Sequence, residues 1–493
     1  MRAVIIGVIV ALTGCVATQG EDPGPLVATP ATEIQQPPVI EGSPFAGPEM
    51  ATASCPGALL DQAECGFLIV PENRADPVTQ VVEVAWARIP AAGGGSTRAR
   101  PPLLVLPDGP GQGAMAEAEG WLDSPLRQDR DVILLDPRGA GRSFPSLDCG
   151  QPPRPGALPL DLVEDCRGQL TAEGIDLRAY DTSEIAADIA DLRQALVLDR
   201  IDLLGIGHGA RVALELLREG SGGIHAVVLD SPIPPQIDVY DERPLNAQSA
   251  LNRLFDECAQ TPVCASRFPD LPTAVEEMVQ RLNADAAGEA GAGVTGDALV
   301  IAAVAAMRGA AGPAVIPWAL DLAVQGQVDE GLEQLQQAAI AGSAVPTSLF
   351  SEGLRLSSDC RDEVPDSFAT GEREQAGLDQ IGQAIAQDVA TFLRACEIWM
   401  AGQADRSDSV PVQSSIRALV LTGEFDPLSP PAWGASAAAL FDQARVVQID
   451  GAGHRVHDID DCTLDLVAAF LDRPRAPVVD GCAVQREIDF RLR

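Results

Sequence analysis

The sequence predicts an α/β fold: a mostly parallel central sheet with helices on both faces, interrupted by an inserted helical cap. Two observations predict it. Short runs of apolar residues without polar alternation recur between amphipathic helical stretches from about Gly66, as in strands buried on both faces. Strand signals then fade between 236 and 412, where the chain is helix-like and Ala-rich, and return at Ala418.

The elements follow in order. Phe67–Val70 and Val81–Ile89 read as early strands, and Leu103–Leu106 as a buried strand ending in the Asp108-Gly109-Pro110-Gly111 turn. Val132–Leu135 is another strand. Ile185, Ile189, Leu192 and Leu196 line one face of a helix over 183–198, and Asp181 stands three residues before Glu184 as a start signal. A strand at Ile201–Leu204, a helix at Ala210–Arg218 and a strand at Ala226–Leu229 follow. After the cap, strands at Ala418–Gly423 and Val446–Ile449 and a helix at Thr463–Leu471 complete the pattern. The expected divisions are 51–235 and 413–493 for the core and 236–412 for the cap.

Composition removes several functions. The 34 basic residues are all Arg. A pyridoxal-phosphate enzyme, a Walker-A nucleotidase and a Ser/Lys hydrolase each need a Lys. A formal charge of −37 argues against a nucleic-acid partner. No cofactor motif is compelling. Gly205-Ile206-Gly207-His208-Gly209-Ala210 matches a dinucleotide fingerprint, with Asp230 ending the next strand, but several strands precede it where that motif usually starts its unit.

Met1-Arg2, the apolar stretch Ala3–Leu12 and Leu12-Thr13-Gly14-Cys15 resemble a bacterial lipoprotein signal over 1–15. The resemblance implies lipidation of Cys15, an extracytoplasmic location and a membrane partner through the acyl chains. Residues 16–50 read as a disordered tether whose coil reach is on the order of 30 Å. Ten further cysteines, Cys55, Cys65, Cys149, Cys166, Cys258, Cys264, Cys360, Cys396, Cys462 and Cys482, are consistent with up to five disulfides. Pairing between sequence neighbours is plausible, and connectivity stays open.

Four loops after strands carry a Gly-rich turn (108–111), a G-x-G-x-G elbow (205–209), an acid at Asp426 and an imidazole at His454. Oxyanion loop, nucleophile, acid and base follow one another in this order in α/β-hydrolases. Asp136-Pro137-Arg138-Gly139-Ala140-Gly141-Arg142-Ser143, strand-final Asp230, Cys360-Arg361-Asp362, Cys396 with Trp399 and Gly453-His454 extend the match over most of residues 55–482. Together they resemble the proline iminopeptidase and tripeptidyl aminopeptidase group of serine hydrolases. That resemblance implies release of N-terminal residues from short peptides by acyl transfer, or turnover of small esters or amides. Asp426 would be the orienting acid, His454 the base, and Gly109 and His208 the oxyanion donors. Asp362 is the candidate for holding a substrate α-amino group.

Two positions depart from the family. Its elbow is G-x-S-x-G, and here Gly207 stands at the nucleophile position, with no oxygen to attack a carbonyl. Its turn begins Gly-Gly-Pro-Gly, and here the first Gly is Asp108. If Asp108 points inward, its charge opposes a developing oxyanion. The expectation is a hydrolase homologue that has lost or changed its reaction, with a non-catalytic peptide- or ligand-binding lipoprotein as the alternative. Asp426 alone would read as a helix cap. His454-Arg455-Val456-His457 offers two metal ligands, but no H-E-x-x-H pattern and no clear third.

Overall fold

The computed structural model describes residues 47–493, apart from 77–78, 94–99, 151–158, 221, 288–292, 310, 343–349, 365–376, 405, 479–480 and 482–485. The signal, Cys15, the tether up to residue 46 and Cys482 lie outside the described residues.

Among the described residues nine strands form one sheet: β1 (Glu49–Ala53), β2 (Glu64–Pro71), β3 (Val81–Ile89), β4 (Leu103–Leu106), β5 (Val132–Leu135), β6 (Ile201–Ile206), β7 (Ile224–Asp230), β8 (Ser414–Gly423) and β9 (Phe441–Ile449). Their order is β1-β2-β3-β5-β4-β6-β7-β8-β9. The β1-β2-β3-β5 pairs are antiparallel and every pair from β5 to β9 is parallel.

The central strands show why apolar runs read correctly. All residues of β4, β5 and β6 are buried. Side chains alternate across the sheet, so Leu203 enters one apolar layer while Leu204 and Ile206 enter the other. Each such burial contributes about 1.5–3 kcal/mol, and Leu204→Ala would cost about 2–5 kcal/mol.

Helices α1 (Ala118–Asp123), α2 (Leu160–Ala172), α3 (Thr182–Ala195) and α4 (His208–Glu219) lie within the first part of the sheet's sequence. Asp181 caps α3, accepting from the Glu184 N–H at 2.9 Å. Between β7 and β8 the chain forms α5 (Val239–Gln260), α6 (Pro262–Arg267), α7 (Leu271–Ala286), α8 (Gly296–Ala306), α9 (Gly312–Val324), α10 (Val328–Gly342), α11 (Glu352–Asp362) and α12 (Gln380–Trp399). The last two helices are α13 (Pro431–Ala438) and α14 (Asp461–Asp472), the latter begun by a capping box of Asp460 and Thr463.

One element was not expected. β1 pairs antiparallel with β2 and begins at Glu49, inside the stretch read as tether. Its side chains are mostly exposed, so it carries little hydrophobic signal; backbone pairing along the sheet edge holds it. Among the described residues four disulfides join sequence neighbours: Cys55–Cys65, Cys149–Cys166, Cys258–Cys264 and Cys360–Cys396. Cys462 is disulfide-bonded as well. Cys55–Cys65 clips the edge strand to its neighbour, and Cys360–Cys396 ties α11 to α12.

The helical segment rests directly on the loops after the strands. The His454 N–H donates to the Met307 carbonyl at 3.1 Å, and the Ser351 N–H donates to the Gly111 carbonyl at 2.7 Å. Arg211 of α4 meets Glu363 at 3.1 Å, and Arg361 meets Asp181 at 2.7 Å.

Candidate active site

The elbow is built by close backbone approach. Gly207 links β6 to α4 with φ 53° and ψ −114°, a left-handed turn where a side chain is strained. Gly209 lies so close to the Leu106 and Pro107 carbonyls that a Cβ there would collide with them. Packing of the elbow against the end of β4 therefore accounts for the third Gly of G-x-G-x-G. His208 opens α4, so its backbone N–H lies in the first turn, where no intrahelical acceptor exists.

The turn after β8 delivers Asp426, which is fully buried. Its Oδ1 accepts from the Leu428 N–H at 2.8 Å and the Ser429 N–H at 2.9 Å. Its Oδ2 lies 2.8 Å from His454 Nδ1. The carboxylate thus does both things its sequence allowed: one oxygen caps a turn and the other holds an imidazole. Glu424 accepts from the Gly451 N–H at 2.8 Å and ties the β8 loop to the β9 loop that carries His454.

His454 faces the elbow. A Cβ built on Gly207 would lie 3.2 Å from His454 Nε2. The same Cβ would collide with Asp108 Oδ1. Asp108 points inward and its carboxylate fills the space beside the elbow. The Gly109 N–H donates to Asp108 Oδ1 at 2.9 Å, His454 Nε2 is 3.4 Å from that oxygen, and Arg308 Nη2 donates to Oδ2 at 2.5 Å. Arg308 follows α8, so the helical segment reaches into the site.

These contacts set the charges. Burial alone would raise the Asp108 pKa, but Arg308 and His454 hold it well below the usual carboxylate range. Burial alone would lower the His454 pKa, but the two carboxylates Asp426 and Asp108 push it up to about 10. His454 is therefore an imidazolium at neutral pH. Among the described residues, no Ser, Thr or Cys hydroxyl or thiol makes a hydrogen bond to its ring.

The other sequence candidates fall beside this centre. The His208 ring lies 3.1 Å from Thr182 Oγ1 and 3.2 Å from Ser358 Oγ. Burial and Arg211 push its pKa down to about 3, so it stays neutral. Asp362 Oδ2 accepts from the Thr182 N–H at 2.9 Å, Thr182 Oγ1 at 2.6 Å and Ser358 Oγ at 3.2 Å. Burial and then Asp181 push its pKa up to about 7. Its carboxylate is engaged in joining α11 to α3.

His457 does not share a ligand position with His454. Its Nδ1 lies 2.8 Å from Asp230 Oδ2, whereas His454 binds Asp426. Among the described residues, no group of three potential metal ligands occurs. Asp230, the strand-final acid, also accepts from the Val456 and His457 N–H groups. Ser231 Oγ accepts from the Arg455 N–H at 3.0 Å. The end of β7 thus sets the His loop.

The 136–143 segment is structural for a readable reason. Asp136 accepts from the Met115 and Arg142 N–H groups. Gly113 and Gly141 lie so close that a Cβ on either would meet its carboxylate. Arg138, fully buried, donates to both Asp188 oxygens and to the Glu72 and Ala179 carbonyls. Sequence reasoning missed Arg308 and the Asp230–His457 pair. Arg308 lies 200 residues from Asp108, and no local pattern marks such a contact.

A small cavity of about 10 Å³ adjoins Asp108, with Gly109, Gln112, Ile185, His208 and Leu354 in its wall. That is room for about one water molecule.

Comparisons with known proteins agree with this architecture. A family model described as "alpha/beta hydrolase fold" matches residues 101–271, and one described as "TAP-like protein" matches residues 382–482. The chain has the α/β-hydrolase fold. Its C-terminal segment is similar to the TAP-like proteins over residues 382–482. Carboxylesterase B of Mycobacterium tuberculosis is 26% identical over 272 residues, covering 49% of this chain and 52% of that protein. The chain thus matches about half the length of that relative. The putative hydrolase YuaR of Escherichia coli is 23% identical over 421 residues, covering 79% of this chain and 81% of that protein. Serine protease Hip1 of Mycobacterium tuberculosis is 26% identical over 227 residues, covering 41% of this chain and 42% of that protein. Among solved structures, a thermophilic esterase from Thermogutta terrifontis is 18% identical with a TM-score of 0.36, covering 83% of this chain and 99% of that chain. That likeness is too loose to inform the site.

Proposed function

We propose that this protein is a hydrolase-fold lipoprotein of the aminopeptidase-like group that no longer carries out serine acyl transfer and instead binds short peptides or small esters and amides. The observation that carries the reading is the Asp108 carboxylate, which occupies the space a nucleophile side chain on Gly207 would need. Three consequences follow chemically. Gly207 offers no hydroxyl. The Gly109 N–H, one of two expected oxyanion donors, is already taken by an anion. His454, protonated between two carboxylates, has no free site to accept a proton from a nucleophile.

Lipidation at Cys15 and an extracytoplasmic position belong to the same proposal. The disulfides support it, since such bonds persist in oxidising compartments. Palmitate labelling of wild type and Cys15→Ala tests the anchor: the variant should lose label and leave the membrane fraction.

Fluorophosphonate labelling and turnover of aminoacyl and tripeptidyl chromogenic substrates test the activity. Wild type should show neither, while calorimetry with short peptides should show binding. Turnover by wild type that His454→Ala abolishes would overturn the proposal and restore the peptidase reading suggested by the names of the relatives.

A further inference from the structure

Three separate parts of the chain converge on the two oxygens of Asp108. The turn after β4 supplies the Gly109 N–H, 2.9 Å from Oδ1. The loop after β9 supplies His454 Nε2, 3.4 Å from the same oxygen. The residue Arg308, after α8, supplies Nη2 at 2.5 Å from Oδ2. A guanidinium, an imidazolium and a backbone N–H are the donors that bind a carboxylate strongly. Along this line the charges alternate: Asp426, His454, Asp108, Arg308. Remove the Asp108 carboxylate, and two cations face one emptied position beside a single remaining acid.

The occupant of this position is tethered. Asp108 belongs to the turn that also donates the Gly109 N–H, so it reaches the site without loss of translational freedom. As part of the chain it competes with a free acid through an effective concentration fixed by the turn rather than by solution. The same carboxylate anchors Arg308, next to Met307, whose carbonyl receives the His454 N–H. The same contacts that fill the site therefore hold the helical segment against the loops.

We propose that Gly109, His454 and Arg308 form a binding site for small monocarboxylates, which Asp108 occupies as a built-in ligand that keeps the helical segment latched over the elbow. The ligand class is the acid half that an acyl hydrolysis would release, of formate or acetate size. The Asp108 carboxylate, itself of formate size, sets that size by the space it fills among these donors. This inference rests on the reading of the site as closed to acyl transfer, and it fails separately. Turnover by wild type sinks that reading, whereas the carboxylate site stands or falls on binding by variants.

The test is isothermal titration calorimetry of the full chain with sodium formate at pH 7, with sodium chloride as the control. Asp108→Ala should bind formate at least about 100-fold more tightly than wild type, because its competitor is gone. Adding Arg308→Gln to Asp108→Ala should weaken that binding at least about tenfold. Asp108→Gly serves as the second variant if Asp108→Ala does not fold, as judged by circular dichroism. Formate should also raise the His454 pKa in the variant, which mere structural loosening would not do. Three results would overturn the proposal: a folded variant that binds no formate at about 100 mM, equal binding by wild type, or binding indifferent to Arg308→Gln.

Discussion

Two acid–imidazole pairs sit three residues apart in the loop after β9, and they do different work. Asp426–His454 and Asp230–His457 have the same 2.8 Å contact at Nδ1, and all four side chains are buried. The difference lies at Nε2 and around the acid. His454 Nε2 looks across the elbow at a second carboxylate, Asp108. His457 Nε2 also has a second carboxylate near it, Asp458 at 3.6 Å, but away from the elbow; its ring stacks on Trp121, with centroids 6.2 Å apart, and its acid also takes the Val456 and His457 N–H groups. One pair faces the elbow at Gly207. The other fixes the loop that carries it. A short acid–imidazole contact is thus not by itself a mark of a site; here what differs is that only the His454 ring faces the elbow at Gly207.

The largest expected effect comes from rebuilding the first pair's partner. Gly207→Ser alone should stay silent, because the new side chain collides with Asp108. Combined with Asp108→Gly, which clears that space and frees the Gly109 N–H, it should gain fluorophosphonate labelling. Its ester turnover should rise at least about 10³-fold over either single variant. Adding His454→Ala should remove the gain. Equal labelling of the single and double variants would break the contrast.

Next in size, Asp230→Asn strikes the structural pair. It leaves four buried donors, the Ser231 hydroxyl among them, around a group that can no longer accept them all, and should cost about 3 kcal/mol or more in chemical denaturation. A loss near zero would mean that the loop is held elsewhere.

A smaller effect is the pH dependence of stability. His454 has a folded pKa of about 10 against an ordinary value of 6.5, so its protonation stabilises the folded state. That contribution is complete below pH 6.5 and is lost as pH rises through about 10. The melting temperature of wild type should fall over this window more steeply than that of His454→Gln. Parallel curves would show that the clamp on the imidazole is weak.

Much of the fold was legible because its strands are buried on both faces. The apolar runs at 103–106, 132–135 and 201–204 admit little else, and the helix cap at Asp181 performs as its spacing suggested. β1 was hidden because an edge strand is held by backbone pairing, which leaves no apolar pattern. At the site, the order of loops and the convergence of Gly207, Asp426 and His454 could be read, as could the conflict posed by an inward Asp108. Arg308 could not: nothing local marks a cation that meets its partner only after the helical segment packs. Asp362 Oδ2 accepts from the Thr182 and Ser358 hydroxyls, contacts that no local spacing marks.

The most direct test is the protonation state of the His454 ring, read by ¹⁵N NMR of the wild-type chain at pH 8. Both ring nitrogens should carry protons there, and Asp108→Gly should move the titration to lower pH. A neutral wild-type ring that titrates near pH 6.5 would contradict the account, since it would leave a competent base facing the elbow.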